Sequence, residues 1–251
     1  MNTTIVSTFL QSDRTNTLLE QYIDFGIKLI DLKVPKVIFI DKEVYDTNEK
    51  IGKYKNDKYT HFVPIEKKDL YFYKYKEDIT EFHLRNHDPI KDTLDYMMII
   101  CNKPEWVREA IEKNIFHSDQ FIWIDFGIYK IFNNDELFKK CIMNSLSKSY
   151  ETVRIATIWD VNNHNYGWNN TVVDLYKDIA WYFAGGVFGG HKDSLLKFAE
   201  LMREKVISII REKKHIMWEV NMWYLIYLDL IDKKLFNIYY GSHDPGILEN
   251  Y

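Results

Sequence analysis

Thr3-Thr4-Ile5-Val6-Ser7-Thr8-Phe9-Leu10 and Lys36-Val37-Ile38-Phe39-Ile40 decide the fold, together with the stretch that joins them. Both segments are short, rich in β-branched residues and apolar, as strands buried on both faces are. Between them Leu18, Leu19, Tyr22, Ile23, Ile27 and Ile30 recur at helical spacing, and Pro35 closes the helix. Strand, helix, strand is the unit of a parallel sheet, and its crossover is right-handed in nearly all cases. Moving outward, Tyr59 to Ile65 reads as a third strand, followed by a Lys- and Tyr-rich helical stretch. Lys91 to Cys101 reads as a helix, and Asn102 restarts one as N-cap, with Pro104 tolerated early in it. Further strands are predicted at Phe121 to Asp125, Thr152 to Trp159, Trp181 to Gly190 and Phe236 to Tyr240. Asp193 is read as the cap of a long amphipathic helix through Ile210, and a last helix covers Glu219 to Ile231. No repeat or linker interrupts the chain, so one α/β domain is expected over residues 1–251.

Composition narrows the function. With 46% hydrophobic and 28% charged residues, the 251-residue chain is globular rather than disordered. Its 33 basic and 37 acidic residues leave a net charge of −4, which speaks against a general nucleic-acid binder. Two cysteines, Cys101 and Cys141, exclude a disulfide scaffold and a four-cysteine zinc site. The first ten residues lack a basic, signal-like start, and the longest apolar run, Met222 to Ile231, is half of the roughly 20 residues a bilayer needs. A soluble, cytoplasmic protein without a transmembrane segment is therefore expected. Aromatic residues at 16% supply either core or the walls of a sugar or base site.

In open α/β sheets, ligands sit beyond the carboxyl ends of the strands. Three such ends carry suggestive residues: Thr8 to Arg14, Asp41, and Asp125-Phe126-Gly127. Arg14 suits a phosphate, while Asp13 equally suits a helix cap. A carboxylate leaving a buried strand needs a partner, and Asp125 either caps a turn or holds a cation beside a diphosphate. Ala184-Gly185-Gly186-Val187-Phe188-Gly189-Gly190 weakens a strand, through a bulge or to let a sugar lie against the main chain. Glu219, beside Trp218, is a candidate base or a helix-start carboxylate, and His243 is a metal ligand or a turn residue. His83-Leu84-Arg85-Asn86-His87 lacks the glutamate of the zinc protease motif. Asp-Phe-Gly without a kinase Gly-rich or catalytic loop is no kinase, and P-loop, Gly-x-Ser-x-Gly and Gly-x-Gly-x-x-Gly patterns are missing.

Taken in order, Thr3 to Phe9, Asn102-Lys103, Ser118 to Ile128 with its Trp-Ile-Asp-x-Gly, and the Gly-Gly-x-Phe-Gly-Gly of residues 185–190 resemble the HtrL/YibB-like family of glycosyltransferases, related to the WlaTC group. The resemblance implies a single GT-A-like domain with a mixed, mostly parallel central sheet flanked by helices. Residues 1–130 would form its nucleotide-binding half and 131–251 its acceptor half. It implies transfer of a sugar from a nucleotide-sugar donor, expected to be UDP-linked, to a glycan or other hydroxyl acceptor, in glycan biosynthesis. Thr8, Phe9, Arg14, Asp41, Lys103, Asp125, Gly127, Gly185 and Gly186 would bind the donor, and Glu219 and Asp125 would act in catalysis. A divalent metal, Mn2+ or Mg2+, would be held by Asp125 and His243, although Gly127 stands where the Asp-x-Asp pattern has its second carboxylate. That departure also admits a catalytically inactive relative that binds glycans or protein.

Overall fold

The computed structural model describes residues 3–12, 19–163 and 172–251. Strand β1 (Thr3–Phe9), helix α1 (Leu19–Ile30) and strand β2 (Lys36–Asp41) form the expected unit. Two short helices, α2 (Lys42–Thr47) and α3 (Glu49–Gly52), lead to β3 (Thr60–Ile65). The Lys- and Tyr-rich stretch is not an α-helix but two 3-10 turns, Lys67–Asp69 and Tyr73–Asp78, in which no residue is buried. Without an apolar face nothing drives a longer helix.

Helices α4 (Leu94–Cys101) and α5 (Lys103–Lys113) precede β4 (Gln120–Ile124). Helix α6 (Asp135–Leu146) was not anticipated, although Phe138, Cys141, Ile142, Ser145 and Leu146 are spaced as a helical core face. It is followed by β5 (Val153–Thr157), β6 (Phe183–His191), α7 (Lys192–Lys213), α8 (Glu219–Asp229), β7 (Phe236–Tyr240) and α9 (Gly246–Glu249). The cap of α7 is His191, not Asp193, and its ring nitrogen accepts from the Asp193 N–H.

The strands form one seven-stranded sheet in the order β3-β2-β1-β4-β6-β5-β7. Among the described strands β6 alone runs against the rest, paired antiparallel with both β4 and β5. Alternate residues face opposite sides. Val6, Phe121 and Trp123 pack under α4, α5, α7 and α8, while Ile5, Ile122 and Ile124 pack toward α1, α6 and α9. No helix among the described residues is long and apolar enough to cross a membrane.

This topology positions the site. The carboxyl ends of β1, β2, β3 and β4 lie along one edge. Because β6 is reversed, its beginning rather than its end reaches that edge beside β4, with Val187 opposite Ile124. The Asp125 N–H donates to Gly186 O at 3.0 Å, extending the pairing one step past the strand.

Candidate active site

Asp125 leaves the sheet beside its own strand neighbour Trp123, whose indole N–H donates to Asp125 Oδ1 at 2.8 Å. Trp123 is itself fixed between rings: Trp106 stacks at 5.9 Å and 8°, and Phe188 at 6.2 Å and 16°. The carboxylate is thereby oriented by a three-ring stack that crosses from α5 through β4 to β6.

Lys103 opens α5, where the positive end of the helix dipole disfavours a cation. Two carboxylates offset that cost. Its Nζ donates to Glu219 Oε1 at 2.8 Å and to Gly185 O at 3.0 Å, and Asp125 Oδ1 lies at 3.1 Å. The Lys103 and Glu219 side chains are 8% exposed and that of Asp125 36%, so the ammonium lies between a deep acid and a rim acid. Burial works against the Lys103 charge, but Asp125 and Glu219 outweigh it and raise the lysine above its ordinary range. Glu219 opens α8, where a carboxylate is favoured.

A cavity of about 200 Å³ opens over this group at the end of β1. Lys103, Asp125, Trp123, Thr8, Phe9 and Tyr22 border it. Tyr96 and Trp106 add aromatic wall, and Gln11 and Ser12 add polar groups. Thr8 Oγ1 is buried and has no hydrogen-bond partner among the described residues. Trp106 also borders a second hollow of about 480 Å³, where Glu105 is paired with Arg203.

The structure thus brings together Thr8, Phe9, Lys103 and Asp125 from the expected set. Arg14 and the Asp13 cap lie outside the described residues. Asp41 does not border the cavity: its carboxylate accepts from the Glu43, Val44 and Gln11 N–H groups, so it caps α2 and ties down the loop after β1. Glu219 does not border the cavity either, and stands behind Lys103. A Cβ on Gly185 would overlap Glu219 Oε1 and approach Lys103 Nζ to 3.3 Å, so this glycine makes room for the protein's own ion pair rather than for a sugar. Gly186 does not border the cavity either: a Cβ there would meet Ile128 and Ile247, both at 3.3 Å, before Asp125 Oδ2 at 3.9 Å. His243 is exposed and meets Trp181 edge-on at 4.3 Å. Desolvation of its ring, and then Lys91 and Lys130, hold it below the ordinary imidazole range.

The residues present do not fit a two-carboxylate metal site. A Cβ on Gly127 would stand 2.7 Å from Tyr22 Cζ and 2.9 Å from its hydroxyl, so the tyrosine ring fills the space a second acidic side chain would need. Among the described residues no group of three or more His, Cys, Asp and Glu is placed to hold a metal ion. Tyr22 and Trp123 were not anticipated as site residues. Tyr22 was read only as part of the apolar stripe of its helix, and the indole of Trp123 carries no sequence signal for its hydrogen bond.

The family described as "Bacterial protein of unknown function (HtrL_YibB)" matches residues 1–243. No curated protein matches the chain in sequence. In three dimensions it is similar to mouse xyloside xylosyltransferase 1 in its apo form, with a TM-score of 0.48 and 10% identity over 95% of this chain and 85% of that one. It is similar to 4-diphosphocytidyl-2C-methyl-D-erythritol synthase from Anaerococcus prevotii DSM 20548, at 0.44 and 13%, over 98% and 91%. It is also similar to the galactosyltransferase LgtC in complex with donor and acceptor sugar analogs, at 0.44 and 12%, over 94% and 72%.

Proposed function

The chain belongs to the HtrL_YibB family, and from that premise we propose that it transfers a sugar from a nucleotide-sugar donor to a hydroxyl acceptor on a GT-A-like fold. One observation carries the reading: a cavity at the carboxyl ends of β1 and β4 combines aromatic walls with Asp125 and Lys103 at a single rim. Aromatic side chains take a base or a sugar face. Asp125 Oδ1 is committed to Trp123 and Lys103, which leaves Oδ2 to accept from sugar hydroxyls.

In the transfer, the bond between the anomeric carbon and the diphosphate oxygen breaks, and its electron pair leaves with the diphosphate. The acceptor oxygen bonds to the anomeric carbon, and its proton passes to the departing diphosphate. Negative charge grows on the leaving group, and groups fixed in advance around it lower the barrier. In this reading Glu219 anchors Lys103 rather than meeting the acceptor, since it lies behind the lysine.

The test is calorimetric titration of the protein with a panel of UDP- and GDP-sugars, followed by an assay for glycoside formation. Binding of at least one donor is expected, weakened about 10-fold or more in Asp125→Ala, the scale of a lost charged hydrogen bond. Silence across the panel rejects the reading. A second reading, a glycan-binding relative without activity, is favoured by the ring of Tyr22 at the second carboxylate position. Binding of oligosaccharide without nucleotide supports that alternative, and measured transfer ends it.

A further inference from the structure

The sheet ends in two edge strands, β3 and β7, each paired on one side only. The main-chain groups of successive strand residues point to alternate sides, so half of each edge strand's N–H and C=O groups face outward. In β3 the Tyr59 carbonyl turns toward β2, where it accepts from the Lys36 N–H, so Thr60, Phe62 and Pro64 face out. Pro64 has no N–H to offer, a common way of blunting an edge. In β7 the Gly241 N–H donates to Thr157 O of β5 at 3.0 Å. Asn237 and Tyr239 therefore turn to β5, while Phe236, Ile238 and Tyr240 face out. Neither proline nor a charged side chain interrupts Phe236–Tyr240.

Of the six outward groups of β7, the chain satisfies two. The Phe236 N–H donates to Lys233 O, and Asn250 Nδ2 donates to Tyr240 O at 3.1 Å. Phe236 O, Ile238 N–H, Ile238 O and Tyr240 N–H have no partner among the described residues. These four are symmetric about Ile238. A second β7 laid antiparallel, Ile238 opposite Ile238, pairs all of them: the two Ile238 residues bond in both directions, and each Tyr240 N–H meets Phe236 O of the other copy. The two groups this register leaves out are the two already satisfied. Side chains and charges agree with it. Phe236 and Ile238 pack into the core, and Tyr240, on the same face, is 66% exposed and would lie across from Phe236 of the other copy. Asp232, Lys233 and Lys234 bring a net positive charge to the start of β7, and Asp244 follows its end. Antiparallel pairing sets each end against the opposite end of the other copy, so unlike charges meet.

We propose that β7 is the seam of a two-fold homodimer, in which the β7 strands of two copies pair antiparallel about Ile238 and two seven-stranded sheets become one. No residue of β5 or β7 borders the cavity over Asp125. Neither cavity lies at the seam, and the proposal stands apart from the reaction.

The experiment is sedimentation of the full chain over a concentration series, with Tyr240→Lys and Ile238→Cys beside wild type. Twice the mass of one chain is expected, and Tyr240→Lys is expected to weaken the dimer about 10-fold or more. Ile238→Cys sets two thiols at a hydrogen-bonded pair, where Cα atoms stand about 5.5 Å apart, within disulfide range. Oxidation is expected to lock it as a covalent dimer that reductant releases, whereas wild type, whose Cys101 and Cys141 are buried, stays unlinked. A chain that remains monomeric up to about 0.1 mM overturns the proposal and leaves the edge to a strand of another protein. A dimer that Tyr240→Lys does not weaken, or that a folded Ile238→Cys does not lock, overturns the assignment to β7. If circular dichroism shows Ile238→Cys unfolded, Tyr240→Lys decides alone, since its site is largely exposed.

Discussion

Asp125 depends on two neighbours that act differently. Trp123 fixes the direction of one oxygen, and Lys103 sets an ammonium 3.1 Å from the same oxygen. Trp123→Phe keeps a ring in the stack and removes only the N–H. It is expected to cost about 1 kcal/mol of stability and to weaken donor binding several-fold, measured by denaturant unfolding and calorimetry. Tyr22 and Gly127 form a second dependent pair. Gly127→Asp alone is expected to destabilise the fold by about 1–3 kcal/mol through overpacking, and Tyr22→Ala in the same chain is expected to restore part of the loss; a double-mutant cycle reads the coupling. Lys36, fully buried at the start of β2, donates to Leu32 O and the Thr60 hydroxyl. Burial lowers it from 10.5 to about 8, so between those values the unfolded chain holds the proton more firmly than the folded one. Stability therefore rises with pH across that window, by about 3 kcal/mol at most. The difference between wild type and Lys36→Met in urea unfolding at pH 8 and pH 10.5 checks it. In Lys36→Met this gain is absent.

At the level of elements, α8 does more than cover the sheet. Its buried Asn221 accepts from the Ala180 N–H at 2.9 Å and donates to Leu175 O and Asp178 O, both at 2.7 Å. One amide thereby holds the connection that feeds β6 into the site. Asn221→Ala is expected to cost about 2–3 kcal/mol, since it leaves buried backbone groups unpaired. It is also expected to speed proteolysis within residues 172–182, read by mass spectrometry of the first fragments. Strands were legible in the sequence because sheets covered on both faces leave unbroken apolar runs, as in β1, β2 and β4. The 3-10 turns at residues 67–78 were misread because Lys and Tyr carry fair helix propensity, whereas packing decides. Asp41 illustrates a different loss: a carboxylate that caps a helix and one that meets a ligand look alike as sequence. Asp125 was legible from its strand and turn, whereas Lys103 was visible only through the family's Asn-Lys pair.

At the scale of the molecule, strands from residues 1–130 and 131–251 share one sheet, joined where β4 meets β6. A division into nucleotide and acceptor halves would therefore be one of role, with a common core. Unfolding is expected to follow a single transition, coincident in far-UV circular dichroism and tryptophan fluorescence; separated midpoints would show that the halves melt independently. The stack of Trp106, Trp123 and Phe188 spans this seam with its central N–H on Asp125. An indole so placed senses the electric field at its own acceptor. Whatever settles on that carboxylate should shift the emission of a buried chromophore, which gives the protein a built-in optical gauge of occupancy that needs neither label nor coupled assay.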